Sequence, residues 1–487
     1  MSKIIIQNGN MCELDIPLKY AQKLYNEFAI RHPNAFYLRT RQRGMQNWDG
    51  KIHYITKTGQ FKIGLLPRVY DRCIEMGIKP KVVDMRQPLP KVSKVVTKIG
   101  KYQLRPEQER SVKSVINNRV GNISFQIGVL DLTVNFGKTL IMTSLYLSYK
   151  KQLKTLLITN DSDWLNQARE EFKQYLPGED ITFVQGKVLN WSNFTIGMIQ
   201  SISRNMRFYQ KELSQIDMVL IDEADQGGSK QYQNVITRLF NTRIRIGLSG
   251  TIYMSKLAKD KVKNMNLECF FGKVIAEFKL KDSIKKGYST KTVVKMVPGK
   301  PWYGNWESDC ISYKEIYDDS ITNCYTAWLM AYNRLLWNLN QGRYPALVVC
   351  KHIVHCENLY KFFKKKLGDA YNIAYVHVNT PSKLRQQIMK DFREGKIDIL
   401  VSTTIIARGK NFPKLRYLLN AASMLSNEKT IQFLGRLVRT DSSKKKAYVD
   451  DLMYPGNYLS RHARARKRYY QVEKLKVILV KRPKHKL

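Results

Sequence analysis

The chain has 487 residues and a mass of 56.9 kDa. At roughly 100 to 200 residues per domain this predicts about two to four domains, and the 43% hydrophobic and 25% charged residues exclude an intrinsically disordered chain. Lys plus Arg number 83 against 40 Asp plus Glu, a formal net charge of +43, so a polyanion is the expected partner and nucleic acid the foremost one.

No apolar run approaches the roughly 18 residues of a spanning helix, so no membrane partner is expected. The start, MSKIIIQNGN, lacks the apolar region of a signal peptide. Seven cysteines with no C-x-x-C pair predict a reducing compartment, hence a soluble, cytoplasmic protein without disulfides or a thiolate zinc site.

In chain order, residues 1–95 predict a small α+β domain. Leu18, Ala21, Leu24, Tyr25 and Phe28 recur at helical spacing after Pro17, while Lys51 to Thr56 and Phe61 to Leu66 read as strands. Asp84 to Gly100, with Pro88 and Pro90, reads as a linker. Beyond it, short apolar runs alternate with amphipathic helices, the pattern of buried parallel strands. The runs are Ile127 to Leu132, Thr155 to Thr159, Thr195 to Ile199, Met218 to Ile221 and Ile244 to Leu248, and then Ala346 to Cys350, Ile373 to Val378, Ile397 to Ser402 and Tyr417 to Leu419. Two tandem α/β domains with parallel sheets are expected, over residues 96–290 and 291–460. Lys300, Pro301, Gly304 and Trp306 interrupt the periodicity near their join, and residues 461–487 read as a basic tail.

Gly137-Lys138-Thr139 falls between an apolar strand and an apolar helix. Backbone N–H groups at such a helix start can hold phosphates, with Lys138 neutralising charge and the Thr139 hydroxyl ligating Mg²⁺. The full G-x-x-x-x-G-K-[ST] pattern would begin with glycine where Leu132 stands, and the tripeptide alone also fits chance in a lysine-rich chain. Asn135 occupies the place of a loop glycine, and asparagine tolerates the left-handed conformation. Met218 to Ile221 runs into Asp222-Glu223-Ala224-Asp225, placing carboxylates at a strand end, where Asp222 can hold Mg²⁺ and Glu223 can activate water. In Gln432-Phe433-Leu434-Gly435-Arg436-Leu437-Val438-Arg439 the two arginines share a helix face, as arginine fingers or as a DNA-facing or solvated basic helix would. His352 and His355 lie near Cys350 and Cys356, but no fourth-ligand spacing follows and zinc is not expected. Trp48 stacks on a base, wedges a junction, or belongs to the core of its domain.

The order is informative: phosphate loop, DEAD, Ser249-Gly250-Thr251, Ala407-Arg408-Gly409, then the Gln-x-x-Gly-Arg-x-x-Arg helix, all at strand ends. The chain thereby resembles the superfamily 2 helicases, which implies two RecA-like domains with one ATP bound between them, Mg²⁺, and a nucleic-acid-stimulated ATPase. By that resemblance Arg105 and Gln108 contact adenine, and the nucleotide is held by Asn135, Gly137, Lys138, Thr139, Gly409 and Gln432. Catalysis falls to Lys138, Asp222, Glu223, Arg436 and Arg439, coupling to Ser249 and Thr251, and nucleic-acid contact to Ser402, Thr403 and Thr404.

Within the superfamily, Asn47-Trp48-Asp49-Gly50-Lys51, the IGLLP segment with its following helix, GLSGT at Gly247 to Thr251 and CKHIVH at Cys350 to His355 resemble UvsW-type phage recombination helicases. This likeness extends from about Asn34 to Asp450 and departs from the family pattern at Val134 to Phe136. DEAD-box RNA helicases instead carry Ser-Ala-Thr and a His-Arg-x-Gly-Arg helix. The resemblance implies ATP-dependent unwinding and branch migration of forked or four-way DNA in recombination, repair and fork restart, with 3′ to 5′ movement, in the host-cell cytoplasm if phage-encoded. A double-stranded DNA translocase, an RNA helicase and a non-hydrolysing DNA-binding protein are the alternatives.

Overall fold

The computed structural model describes residues 2–41, 45, 47–149, 151–186, 188–250, 252, 261–299, 312–407, 412–424, 430, 433–435 and 437–480. The chain divides into two compact units, Met1–Phe278 and Lys279–Leu487. Among the described residues no helix is long and apolar enough to cross a membrane.

The first unit opens with a four-stranded sheet in the order Gln60–Lys62, Met11–Asp15, Lys3–Ile6, Lys81–Asp84. Alternation along its strands turns Ile4, Ile6, Cys12 and Leu14 into the core. The helix expected after Pro17 spans Leu18–Glu27. Two strand expectations are corrected here. Lys51 to Thr56 shortens to Lys51–His53, paired with Ala29–Arg31. Of Phe61 to Leu66, only the start joins the strand Gln60–Lys62; Ile63–Leu65 forms a 3-10 turn and Leu66–Glu75 an α-helix. Pro67 explains the switch, because its fixed φ suits a first helical turn and it has no N–H for a ladder.

A single core joins this segment to the rest of the unit, with Ile4, Leu24, Ile63 and Val69 in one cluster with Val129, Ile221, Leu267 and Phe271. Residue 95 therefore lies inside a compact unit. The contact is close enough to demand glycine twice. A Cβ on Gly9 would sit 2.6 Å from the Leu239 carbonyl, and one on Gly64 would overlap the Glu268 carbonyl. Arg245, fully buried, donates to the Gly9 carbonyl at 2.7 Å, to Asn10 Oδ1 at 2.8 Å and to the Phe270 carbonyl at 3.2 Å. Burial, aided by Arg86, pulls its pKa down to about 9.

The larger sheet of this unit runs Val188–Leu189, Ile181–Gln185, Phe194–Met198, Thr155–Thr159, Met218–Asp222, Ile244–Ser249, Ile127–Leu132, Val274–Phe278. All its pairings are parallel except that of Val188–Leu189 at the edge. Ile127–Leu132, Thr155–Thr159, Met218–Asp222 and Ile244–Ser249 are buried at every residue, as strands covered on both faces must be.

The second unit holds a seven-stranded parallel sheet: Ile373–Val376, Ile399–Ser402, Ala346–Val349, Tyr417–Asn420, Lys446–Met453, Lys291–Pro298, Lys476–Leu479. The division falls before residue 290, because Leu280 N–H donates to Glu473 Oε2 at 3.1 Å and Thr290 N–H to the Val438 carbonyl at 2.7 Å. The basic tail expected from residue 461 is also corrected. Asn457–Val472 is an α-helix and Lys476–Leu479 the edge strand. Arg466 points inward, fully buried, and pairs with Asp451 at 2.7 Å, while Arg461, Arg464 and Arg468 stay exposed. Composition counts all these cations alike, whereas helical periodicity sends one of them into the core. Lys300, Pro301, Gly304, Trp306 and residues 481–487 lie outside the described residues.

Candidate active site

The segment expected to form a phosphate loop follows the strand Ile127–Leu132 and leads into the helix Lys138–Ser148. Two residues turn it through left-handed conformations, Asn135 at φ 64° and Gly137 at φ 83°. Asparagine is among the few residues that accept this backbone without glycine's freedom. Phe136, 1% exposed, anchors the loop against Phe278, with ring centroids 4.6 Å apart. Lys138 and Thr139 remain half-buried at the open end of the helix.

Gln108 lies directly beneath. Its Nε2 donates to the Phe136 carbonyl at 2.7 Å and its Oε1 accepts from Arg105 N–H at 2.8 Å, with the side chain 1% exposed. A Cβ at Gly137 would stand 2.5 Å from this Nε2. Both ends of the Gln108 amide are thus engaged in shaping the loop and the start of the helix Pro106–Ile116. The resemblance assigned Gln108 and Arg105 to the adenine; the local geometry gives Gln108 a supporting contact with the loop itself.

The strand Met218–Asp222 delivers Asp222 to the same sheet end, 7% exposed, and Glu223 then turns at φ 52°. Burial raises the Asp222 pKa, and the nearby Lys138 charge opposes that rise. Burial, then Asp222, Asp225 and Asp161, push Glu223 up to about 8. Asp225 is 5% exposed and accepts from Ser249 Oγ at 2.7 Å. Gly250 follows; a Cβ there would come within 3.0 Å of the Leu132 carbonyl, so the segment after Ser249 runs against the phosphate loop.

Asp161 joins this site although its sequence pattern did not mark it. This residue is 7% exposed, follows the strand Thr155–Thr159, accepts from Trp164 N–H at 3.2 Å, and acts electrostatically on both Asp222 and Glu223. An acid just after an apolar run was the available signal.

In the second unit, Ser402 is fully buried with its Oγ donating to the Thr403 carbonyl at 2.9 Å, and Thr403 is 7% exposed. Of the expected nucleic-acid contacts in this unit, Ser402, Thr403 and Thr404, only Thr404 is half-buried. Arg439 is half-buried, and its carbonyl accepts from Thr290 Oγ1 at 2.9 Å. Thr251, Gly409, Gln432 and Arg436 lie outside the described residues. Trp48 in the first unit is half-buried; its indole N–H donates to the Lys51 carbonyl at 2.9 Å and its ring meets His32 edge-on, so it braces its own loop. His355, 1% exposed, is bonded to the Tyr317 hydroxyl at 3.2 Å through Nδ1, and burial brings its pKa down to about 3. No metal-ligating group of three or more His, Cys, Asp and Glu exists among the described residues.

The family described as type III restriction enzyme, res subunit, matches residues 101–254, and the helicase conserved C-terminal domain matches residues 329–441. The chain is 22% identical over 475 residues to the ATP-dependent DNA helicase uvsW of Enterobacteria phage T4, covering 88% of this chain and 86% of that one. It is 22% identical over 385 residues to helicase 22 of Sulfolobus islandicus filamentous virus, covering 72% of this chain and 64% of that protein's length. Among solved structures, a fragment of an HsdR subunit of a type I restriction enzyme from Vibrio vulnificus YJ016 superposes with TM-score 0.56 at 15% identity, over 77% of this chain and 67% of that one. The two parallel sheets are those of tandem RecA-like domains.

Proposed function

We propose, from the premise that the chain is a superfamily 2 helicase resembling UvsW, that it is an ATP-dependent DNA motor that unwinds and branch-migrates forks and four-way junctions. The observation that carries this reading is the convergence at one sheet end of Lys138, Asp222, Glu223 and the Asp225–Ser249 bond.

Asn135 and Gly137 set the loop so that its backbone N–H groups and Lys138 receive phosphates. Buried carboxylates opposed by one lysine suit a divalent cation that arrives with the nucleotide; Asp222 and Thr139 would hold Mg²⁺, which neutralises phosphate charge. Glu223, whose proton affinity is raised by burial and then by its acidic neighbours, would orient the attacking water and accept its proton. Ser249, tied to Asp225, carries a change at this acidic turn into the strand Ile244–Ser249. The net charge of +43 supports sequence-independent phosphate contacts.

A double-stranded DNA translocase is the second reading, favoured by the match to a restriction-enzyme subunit family over residues 101–254. Steady-state ATP hydrolysis at fixed salt tests both, without nucleic acid and with single-stranded DNA, linear duplex, a fork, a four-way junction and matched RNA. Greatest stimulation by branched DNA supports the proposal. Greatest stimulation by linear duplex without strand displacement favours the translocase, greatest stimulation by RNA an RNA helicase, and tight binding without hydrolysis a passive binder.

A further inference from the structure

We propose that the second unit carries a separate phosphate-binding face, built around Trp337, that holds a duplex arm of nucleic acid. This inference rests on the DNA-motor reading above, but its own residues are none of the motif residues; Lys291 directly follows Thr290, which is bonded to the Val438 and Arg439 carbonyls.

The strands Lys446–Met453, Lys291–Pro298 and Lys476–Leu479 are parallel neighbours, and their register pairs Lys291 with Lys446, Val293 with Tyr448 and Lys476, and Lys295 with Asp450 and Ile478. Directly paired and alternate residues share a face of a sheet. One face therefore carries Lys291, Lys295, Lys446 and Lys476, and all but Lys295 are exposed. The helix Tyr325–Leu339 borders this face with Trp337, 40% exposed. Lys295 Nζ lies 4.2 Å from the Trp337 ring centroid, the Arg343 guanidinium 4.8 Å and that of Arg334 5.1 Å.

Arg343 is fixed on a second side as well. Its guanidinium lies 3.7 Å from the Tyr448 ring centroid and its Nη1 donates to Asn338 Oδ1 at 2.9 Å. A guanidinium held in place loses little freedom when it binds, and its planar fork matches phosphate oxygens. The carboxylate on these paired positions is Asp450, 1% exposed, which already accepts from Arg334 Nε at 2.8 Å and from Asn338 Nδ2 and the Tyr417 hydroxyl at 3.0 Å. On the paired positions the cations Lys291, Lys295, Lys446 and Lys476, with Arg343 beside them, thus outnumber the single carboxylate. Lys295 and Arg343 also cover the Trp337 ring, leaving it to support cations rather than stack on bases. Contact through phosphates alone suits the backbone of a duplex of any sequence.

The placement is distinct from the expected motor contacts. Lys291, Lys446 and Lys476 begin their strands, whereas Ser402 ends Ile399–Ser402 in the same parallel sheet. Opposite ends of one sheet can hold different arms of a branched substrate.

The full chain with Lys291→Glu, Lys446→Glu and Lys476→Glu, all exposed and so tolerant of substitution, tests this against the unchanged chain; Arg343→Ala is the second variant. Affinity for a fork with a duplex arm and for a single strand is measured over a salt series, together with single-strand-stimulated ATP hydrolysis. The triple variant is expected to bind the fork about tenfold or more weakly, with a log–log salt slope shallower by about 2 to 3, and to keep its single-strand-stimulated turnover. Arg343→Ala is expected to weaken fork binding in the same direction. Unchanged fork affinity and slope in both variants would overturn the site. Equal loss with the single strand would place these residues on the motor's own track, which also overturns it. Displacement of the fork by poly-glutamate, with the same residues required, would assign the face to an acidic protein segment instead. If the unchanged chain shows no DNA-stimulated hydrolysis, the motor reading fails, while the fork-binding comparison still decides the site.

Discussion

Ser249 Oγ donates to Asp225 Oδ1 at 2.7 Å, with the serine 2% and the aspartate 5% exposed, so the end of one buried strand is bonded to the acidic turn that follows its neighbour. Ser249→Ala removes the bond and leaves a buried carboxylate with one donor fewer. ATP hydrolysis should stay within about threefold, while strand displacement falls by about tenfold or more. Parallel measurement of the two rates checks this, and equal loss of both would remove Ser249 from a coupling role.

Lys138→Ala should abolish ATP turnover and leave DNA affinity largely unchanged, because affinity comes from dispersed phosphate contacts. Glu223→Gln should bind ATP and stall. Nucleotide binding, DNA binding and turnover measured on both variants test this separation; undiminished turnover in Glu223→Gln would exclude Glu223 as the base.

Gln108→Ala breaks the bonds to the Phe136 carbonyl and the Arg105 N–H. The buried Phe136 carbonyl loses its hydrogen bond, at about 1–3 kcal/mol, and the half-buried Arg105 N–H loses its bond as well. KM for ATP should rise by about tenfold or more with the purine preference unchanged, the outcome expected of a side chain that supports the loop. Steady-state kinetics with ATP and GTP decide; a selective change in the ATP/GTP ratio would return Gln108 to base recognition.

His355 is buried neutral, with its pKa brought from 6.5 down to about 3. In that window the unfolded chain binds a proton that the folded chain does not, so this contribution to stability is present above pH 6.5. It is lost as pH falls toward 3, at up to about 1.4 kcal/mol per pH unit. Thermal unfolding at pH 7 and pH 5 should show a smaller pH dependence in His355→Asn than in the unchanged chain. Tyr317 and His352 surround the ring and are kept in both.

Gly64→Val forces a side chain into the Glu268 carbonyl and should lower stability by about 1–3 kcal/mol or more. Denaturant unfolding measures it, and a neutral result would mean that the amino-terminal sheet is not seated on the rest of its unit. The shared core also predicts that deleting residues 1–95 exposes buried apolar surface, so point substitutions report on this segment better than truncation.

The sequence by itself determined the parallel strands and the order of the motifs. Fully buried strands read as apolar runs whatever surrounds them, and Ile127–Leu132, Thr155–Thr159 and Met218–Asp222 lie where their runs predict. It also marked Asn135, since few residues accept φ 64°. What needed the tertiary structure were the relations between distant segments. Asp161 joins Asp222 and Glu223 only because their strands are neighbours in the sheet. Gln108 meets the phosphate loop 28 residues later in the chain. Arg245 is one more basic residue in a basic chain until the fold closes Gly9 and Asn10 over it. Local pattern sets how a segment folds; which buried charge or amide finds a partner is decided by packing, because an unpaired polar group in the core costs more than most local preferences supply.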